Sequence, residues 1–182
     1  MALAKQNIQH TINEIYNLPE GQRAELIDGD MYMMAPPNRT HQKIVSVLHA
    51  EIYKYIEAHN GSCEVYPAPF AVFLNEDSRN YVEPDISVIC DRDKLNDKGC
   101  SGAPDWIIEI VSPSSRRMDY IIKLFKYRTA GVREYWIIDP EKNRITVYDF
   151  MNENGDVYSF TDNIPCSIYD GFKIDFSKIT IE

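Results

Sequence analysis

The 182-residue chain carries 19 Lys and Arg against 28 Asp and Glu, a net charge of −9, with 44% hydrophobic and 12% aromatic residues. This composition excludes a disordered or low-complexity polypeptide, and the length suits a single domain over residues 1–182 with a sizeable buried core. No apolar run reaches the ~18 residues of a membrane span, and the N-terminus lacks the apolar core of a signal peptide, so the expectation is a cytoplasmic protein with no membrane partner. A pI near 4.9 argues against broad nucleic-acid affinity but leaves room for a local basic patch or a metal-dependent site. Cys63, Cys90, Cys100 and Cys166 show no CxxC spacing. They read as reduced and unpaired, neither a disulfide frame nor a zinc site.

In chain order, Thr11–Tyr16 predicts a brief helix, with Glu14 three residues after its capping threonine. Two strand-like runs flank Asp28-Gly29, a hairpin signal, and Pro36-Pro37 ends the second. From His41 to about His59, apolar residues at three- and four-residue spacings (Ile44, Val45, Leu48, Ile52, Ile56) predict a long amphipathic helix. Strand-like segments follow at Cys63–Leu74, Asp85–Cys90 and Trp106–Val111, the last two apolar enough to be covered on both faces. A second helix is expected over Arg116–Ala130, with Ser115 as its N-cap and Gly131 as its stop. Glu134–Ile138, Arg144–Phe150 and short C-terminal strands complete the chain. Mixed strands with helices between them imply an α/β or α+β fold, a mixed sheet covered by two main helices.

Three carboxylates stand where burial is expected. Asp85 opens Ile86-Ser87-Val88-Ile89, Glu109 interrupts Trp106-Ile107-Ile108-Glu109-Ile110-Val111, and Glu25 precedes Leu26-Ile27. A carboxylate in an apolar strand is costly unless a charge neutralises it, and the pair Asp85 and Glu109 suits a hard divalent cation such as Mg²⁺. Asp119, Lys123 and Tyr127 follow one another at four-residue spacing and share a helix face, so Lys123 can return across the end of the Glu109 strand. A surface pairing of Lys123 with Asp119 is the simpler alternative. Methionine is a good helix former, so replacing Lys123 by Met is expected to leave folding intact, and Lys126 lies about 60° off this face. His10, His49 and His59 have no ligand-like spacing.

These residues resemble the Uma2 (DUF820) family of candidate endonucleases. The resemblance rests on Glu25-Leu26-Ile27-Asp28-Gly29, Pro36-Pro37 with His41, Glu83-Pro84-Asp85-Ile86-Ser87-Val88 and Ala103-Pro104-Asp105-Trp106 through Ser112. Asp119 with Lys123 and Tyr127, and Gly131 through Pro140, continue it in the family's order. It implies the PD-(D/E)xK restriction-endonuclease-like fold, a mixed β-sheet flanked by helices, here with an N-terminal hairpin and C-terminal strands. It further implies a Mg²⁺- or Mn²⁺-dependent endodeoxyribonuclease, a hydrolase of DNA phosphodiester bonds. Asp85 and Glu109 match the metal ligands, with the Ile110 carbonyl as a further one. Where the motif's strand lysine belongs stands Val111, and Lys123 looks like a lysine migrated to the next helix. Glu25 matches an additional acidic residue of the catalytic set. His41, Arg116, Arg117 and Tyr127 are assigned to the DNA substrate, and a two-fold homodimer is the simplest arrangement for cutting both strands. Two alternatives stay open. One is an inactive nuclease fold used as an interaction module, the other a phosphoesterase with a non-DNA substrate.

Overall fold

The computed structural model describes residues 9–75, 77–113 and 115–179. A first short helix, α1 (Ile12–Tyr16), opens with the Thr11 amide donating to Glu14 Oε2 at 2.7 Å. Its lead-in is anchored: the His10 amide donates to the Gly29 carbonyl, and His10 Nδ1 lies 3.0 Å from Glu14. Strands β1 (Ala24–Ile27) and β2 (Asp30–Met33) form the expected hairpin. Asp28 and Gly29 turn the chain with φ of 52° and 89°, the left-handed pair that a tight two-residue hairpin requires.

Helix α2 (Arg39–Ala58) begins two residues earlier than its apolar pattern suggests, because the Asn38 side chain accepts from the His41 amide and caps it. Its Ile44, Leu48 and Ile52 are fully buried in one cluster with Trp106, Ile108 and Trp136. Burying each such side chain stabilises the fold by about 1.5–3 kcal/mol. Then follow β3 (Glu64–Pro67), β4 (Val72–Phe73), β5 (Ile86–Ile89), β6 (Leu95–Asn96), β7 (Gly99–Ser101) and β8 (Trp106–Ile110). Next come a π-helical stretch, Met118–Lys123, helix α3 (Leu124–Ala130), β9 (Glu134–Asp139) and β10 (Arg144–Asp149). The chain closes with β11 (Asn154–Tyr158), β12 (Asn163–Pro165) and β13 (Lys173–Asp175). Gly131 ends α3 with φ 97°, as a helix C-terminus favours. Ser115 stands at the expected position, just before helical Arg116: its carbonyl accepts the Asp119 amide at 3.0 Å, while its hydroxyl takes the Ser112 amide at 2.9 Å and closes the preceding turn.

The main sheet has six strands in the order β11-β10-β9-β8-β5-β3, with β8 and β9 parallel and every other neighbour antiparallel. This is the mixed α+β architecture that the sequence pattern implies. Alternate residues of each strand serve two cores. Ile86, Val88, Trp106, Ile108 and Ile110 join α2 and the β12–β13 hairpin on one face. Ile89, Ile107, Tyr135 and Ile137 join Tyr127 and Val132 on the other. Glu134 ties the C-terminal segment to this sheet. Its carboxylate is wholly buried and accepts from Trp136 Nε1, the Ser167 and Ile168 amides and the Ser167 hydroxyl. With the Cys166 thiol these make five donors, which satisfy a carboxylate that has no cation beside it among the described residues.

The cysteines depart from expectation: Cys63 and Cys90 form a disulfide. The β3–β5 register pairs Glu64 with Ile89, so the residues just outside that pair face each other. At a separation of 27 positions in the sequence, local spacing gives no signal of it. Cys100 and Cys166 are free and buried. The intact mass without reductant should therefore be lower by about two hydrogens than after reduction, and reduction should cost about 2–4 kcal/mol of stability. Identical masses under both conditions would contradict the bridge.

Candidate active site

The β5–β8 register carries the two strand carboxylates to one place. Ile86 pairs with Ile108, so Asp85, one residue before β5, falls opposite Glu109. Both have the side-chain parity of Ser87 and Ile107 and point to the face covered by the π-helical stretch and α3. The Ile110 amide donates to Asp85 Oδ2 at 2.8 Å, and the Asp85 amide lies 3.4 Å from Glu109 Oε2.

Glu25 arrives from the hairpin. Leu26 exchanges backbone hydrogen bonds with Tyr81, which aligns β1 beside the segment leading into Asp85, and Glu25 Oε1 accepts the Glu83 amide at 3.0 Å. His41 comes from the first turn of α2 and sets Nε2 3.0 Å from Asp85 Oδ2. Its Nδ1 is buried with no hydrogen-bond partner among the described residues.

Lys123 is the centre of the cluster. Its Nζ lies 2.8 Å from Glu25 Oε2, 2.9 Å from Glu109 Oε1 and 3.9 Å from Asp119 Oδ1. The residue is only 5% exposed, so the simpler alternative, a surface pair with Asp119, is not what the structure holds. The expectation that Lys123→Met leaves folding intact is corrected with it. Removing this ammonium strands buried carboxylates without a counterion, which commonly costs about 3–5 kcal/mol. Tyr127 lies beneath the cluster, wholly buried, and donates to Glu109 Oε1 at 2.7 Å. Lys126, on the same helix, is buried and donates to Asp28 Oδ1 at 2.6 Å, clamping α3 to the hairpin that bears Glu25.

Three carboxylates (Glu25, Glu109, Asp119) thus surround one ammonium, with Asp85 next to Glu109. Burial alone would pull the Lys123 pKa down, but Glu109, Glu25 and Asp119 hold it well above its ordinary value. Burial pushes Glu109 well above the usual carboxylate range against the pull of Lys123, and Asp85, Asp119 and Glu25 raise it further. Asp119 is raised to about 6, again chiefly by burial, with Lys123 and Ser115 opposing. Solvent reaches the cluster through Asp85 and His41, whose side chains are 16% and 13% exposed.

Excess buried negative charge of this kind fits a hard cation. Among the described residues no group of three or more His, Cys, Asp and Glu is arranged so that it could hold a metal ion. Magnesium needs less, because it keeps several waters and is commonly held by one or two carboxylates. Asp85, partly open to solvent, and the buried Glu109 beside it are the pair that would share it.

The two arginines differ. Arg116 is held by Asp139 at 3.1 Å and by Glu141 at 3.1 Å. Arg117 is exposed. Asp119 is a member of the cluster that the sequence reading did not list among the site residues, although its spacing from Lys123 placed it on the same face. Its burial was the missing signal.

Comparison with known proteins bears on the fold and the family. An uncharacterized protein of Synechocystis sp., slr1290, is 26% identical over 137 residues, 74% of this chain and 70% of that protein. A crystal structure from Anabaena variabilis, titled as a "putative nuclease belonging to DUF820", shares the fold with a TM-score of 0.75 and 21% identity. The superposition covers 93% of this chain and 96% of that one. Among the described residues no helix is long and apolar enough to cross a membrane. The Uma2 family model, described as "Putative restriction endonuclease", matches residues 12–168, and the chain belongs to the Uma2 family.

Proposed function

We propose that the protein is a Mg²⁺- or Mn²⁺-dependent endonuclease that hydrolyses DNA phosphodiester bonds, with Asp85 and Glu109 as the metal ligands. The observation that carries this reading is the pairing of two adjacent carboxylates on neighbouring strands with a buried lysine 2.9 Å from one of them. When bound, the ion acidifies a coordinated water and neutralises charge growing on the phosphate. His41 and the Ile110 amide hold Asp85 in place from one side. Tyr127 and Lys123 hold Glu109 from the other, which makes Tyr127 a positioning residue beneath the site and removes it from the substrate surface. Lys123 stays protonated and supplies an electrostatic donor for the transition state, and Glu25 fixes the ammonium. Arg117 is the exposed cation open to a phosphate, whereas Arg116 is spent on Asp139 and Glu141. Cutting both strands of a duplex would bring two copies together about a two-fold axis.

Metal binding is testable without turnover. Calorimetric titration with Mn²⁺ should reveal a site whose affinity rises with pH, because Glu109 must lose its proton to act as a ligand and its pKa is raised. Glu109→Gln should weaken that binding by tenfold or more, on the order of one ligand's contribution. Unchanged Mn²⁺ affinity in that variant would remove Glu109 from the ligand set.

A further inference from the structure

Beside the carboxylate cluster lies a pair of aromatic rings that the chemistry above leaves unused. Tyr66 on β3 and Phe70 in the following loop stack with ring centroids 4.3 Å apart and planes only 4° from parallel. Both are half-buried, resting on the core formed by Ile89 and Ile107 with one part open to solvent. Their position relative to the site follows from the strand register. Tyr66 pairs with Ser87, two residues along β5 from Asp85, so its ring shares the sheet face of Asp85 and Glu109. Strand geometry puts the Tyr66 and Asp85 backbones about 8 Å apart. The loop between the two rings touches Asp85 directly, with the Ala68 amide donating to the Asp85 carbonyl at 3.0 Å. The Tyr66 hydroxyl donates to Glu64, which fixes the ring plane, and the exposed Arg92 guanidinium lies 3.3 Å from Glu64 Oε1.

Fully buried pairs of this protein meet at wider angles, Trp136–Phe176 at 37°, Trp106–Trp136 at 61° and Tyr127–Tyr135 at 81°. A flat, solvent-reaching pair is different in kind, because it offers one more planar group a face to stack on. Nucleobases are such groups, and base–aromatic stacking contributes about 1–3 kcal/mol per base. In a duplex that base face is already covered by its neighbours, so the platform can act only on an unpaired, unstacked base. A chain with a net charge of −9 gains little from general phosphate attraction, so stacking weighs more in its affinity.

We propose that Tyr66 and Phe70 form a base-stacking subsite beside Asp85 that selects single-stranded DNA, or an unpaired nucleotide within a duplex, as the substrate. This deepens the endonuclease reading and rests on it. Arg92, on the Glu64 side, is already held by Glu64 and the Ser62 carbonyl, so the subsite takes little of its affinity from the adjoining phosphate. Binding should therefore depend only weakly on salt compared with proteins that neutralise many phosphates.

The test is binding of an oligonucleotide carrying 2-aminopurine, single-stranded or annealed to its complement, with EDTA present so that nothing is cut. The full chain should quench 2-aminopurine in the single strand and bind it at least tenfold tighter than the duplex. Tyr66→Leu with Phe70→Leu should abolish the quench and weaken binding by about tenfold or more, while Tyr66→Phe keeps both because the ring remains. Should the double variant fold poorly, judged by its thermal transition, Phe70→Leu alone should still lose most of the quench. Unchanged quench in Phe70→Leu, or equal affinity for single strand and duplex, overturns the subsite. Mg²⁺-dependent cleavage by the full chain with no single-strand preference would overturn the subsite and leave the endonuclease reading standing. A ring-dependent quench in a protein that cuts no DNA would do the reverse.

Discussion

Lys123→Met should destabilise the fold by about 3–5 kcal/mol at neutral pH, and the folded fraction should turn over with kcat lowered by about 10²–10³. The two effects share one cause. The ammonium is the only cation within 4 Å of Glu25, Glu109 and Asp119 among the ion pairs of the described residues, and all three carboxylates are buried. Urea denaturation separates the stability loss from the catalytic one. Adding Glu25→Gln should restore part of the stability, because one uncompensated charge is removed, and should restore none of the activity. A Lys123→Met protein as stable and as active as the parent would reduce Lys123 to a bystander. Stability lost with full activity in the folded fraction would leave it a structural counterion alone.

Asp119→Asn should stabilise the protein at pH 7.5, by as much as about 2–3 kcal/mol. The folded-state pKa of Asp119 is about 6 against an ordinary 3.8, so the fold favours its neutral acid. Below about pH 4 the group is protonated folded or unfolded and burial costs nothing extra. As pH rises towards 6 the unfolded chain releases the proton first, and the folded state becomes progressively less favoured. Above about 6 the penalty is complete. The amide variant escapes it, so its advantage should be largest above pH 6 and shrink as pH falls towards 4. Thermal unfolding at a series of pH values reads this directly, and an advantage that does not vary with pH would show that Asp119 does not titrate in that window. The result would also identify Asp119 as charge kept at a cost to stability, as functional clusters commonly are.

Much of this arrangement was legible in the sequence because it is written in local pattern. Asp28-Gly29 dictates its hairpin, Ile44 to Ile56 dictate the buried face of α2, and Gly131 ends α3. Asp85 and Glu109 stood out because a carboxylate inside an apolar strand needs a reason, and Lys123 because four-residue spacing puts it on a face with Asp119 and Tyr127. What escaped depends on register between distant segments. The Cys63–Cys90 bridge exists only because Glu64 pairs with Ile89. Lys126 finds Asp28, and Glu134 collects the amides of Ser167 and Ile168, across separations that no periodicity encodes. The burial of Lys123 escaped for the same reason. Its helix stretch is π-helical over Met118–Lys123, a local widening that spacing rules built on 3.6 residues per turn do not anticipate. Arg116 reads as a free cation in sequence and is bound to Asp139 and Glu141 in the fold.

The central claim, metal-dependent phosphodiester hydrolysis at Asp85 and Glu109, is tested most directly by incubating the purified protein with supercoiled plasmid and, in parallel, a single-stranded DNA circle. Mg²⁺ or Mn²⁺ should produce nicked plasmid and cut circles, and EDTA should stop both. Asp85→Asn keeps an acceptor for the Ile110 amide but loses the charge that a cation needs, so it should abolish cleavage while leaving the thermal transition nearly unchanged. Cleavage by Asp85→Asn at the parent rate, or cleavage undiminished in EDTA, would contradict the account.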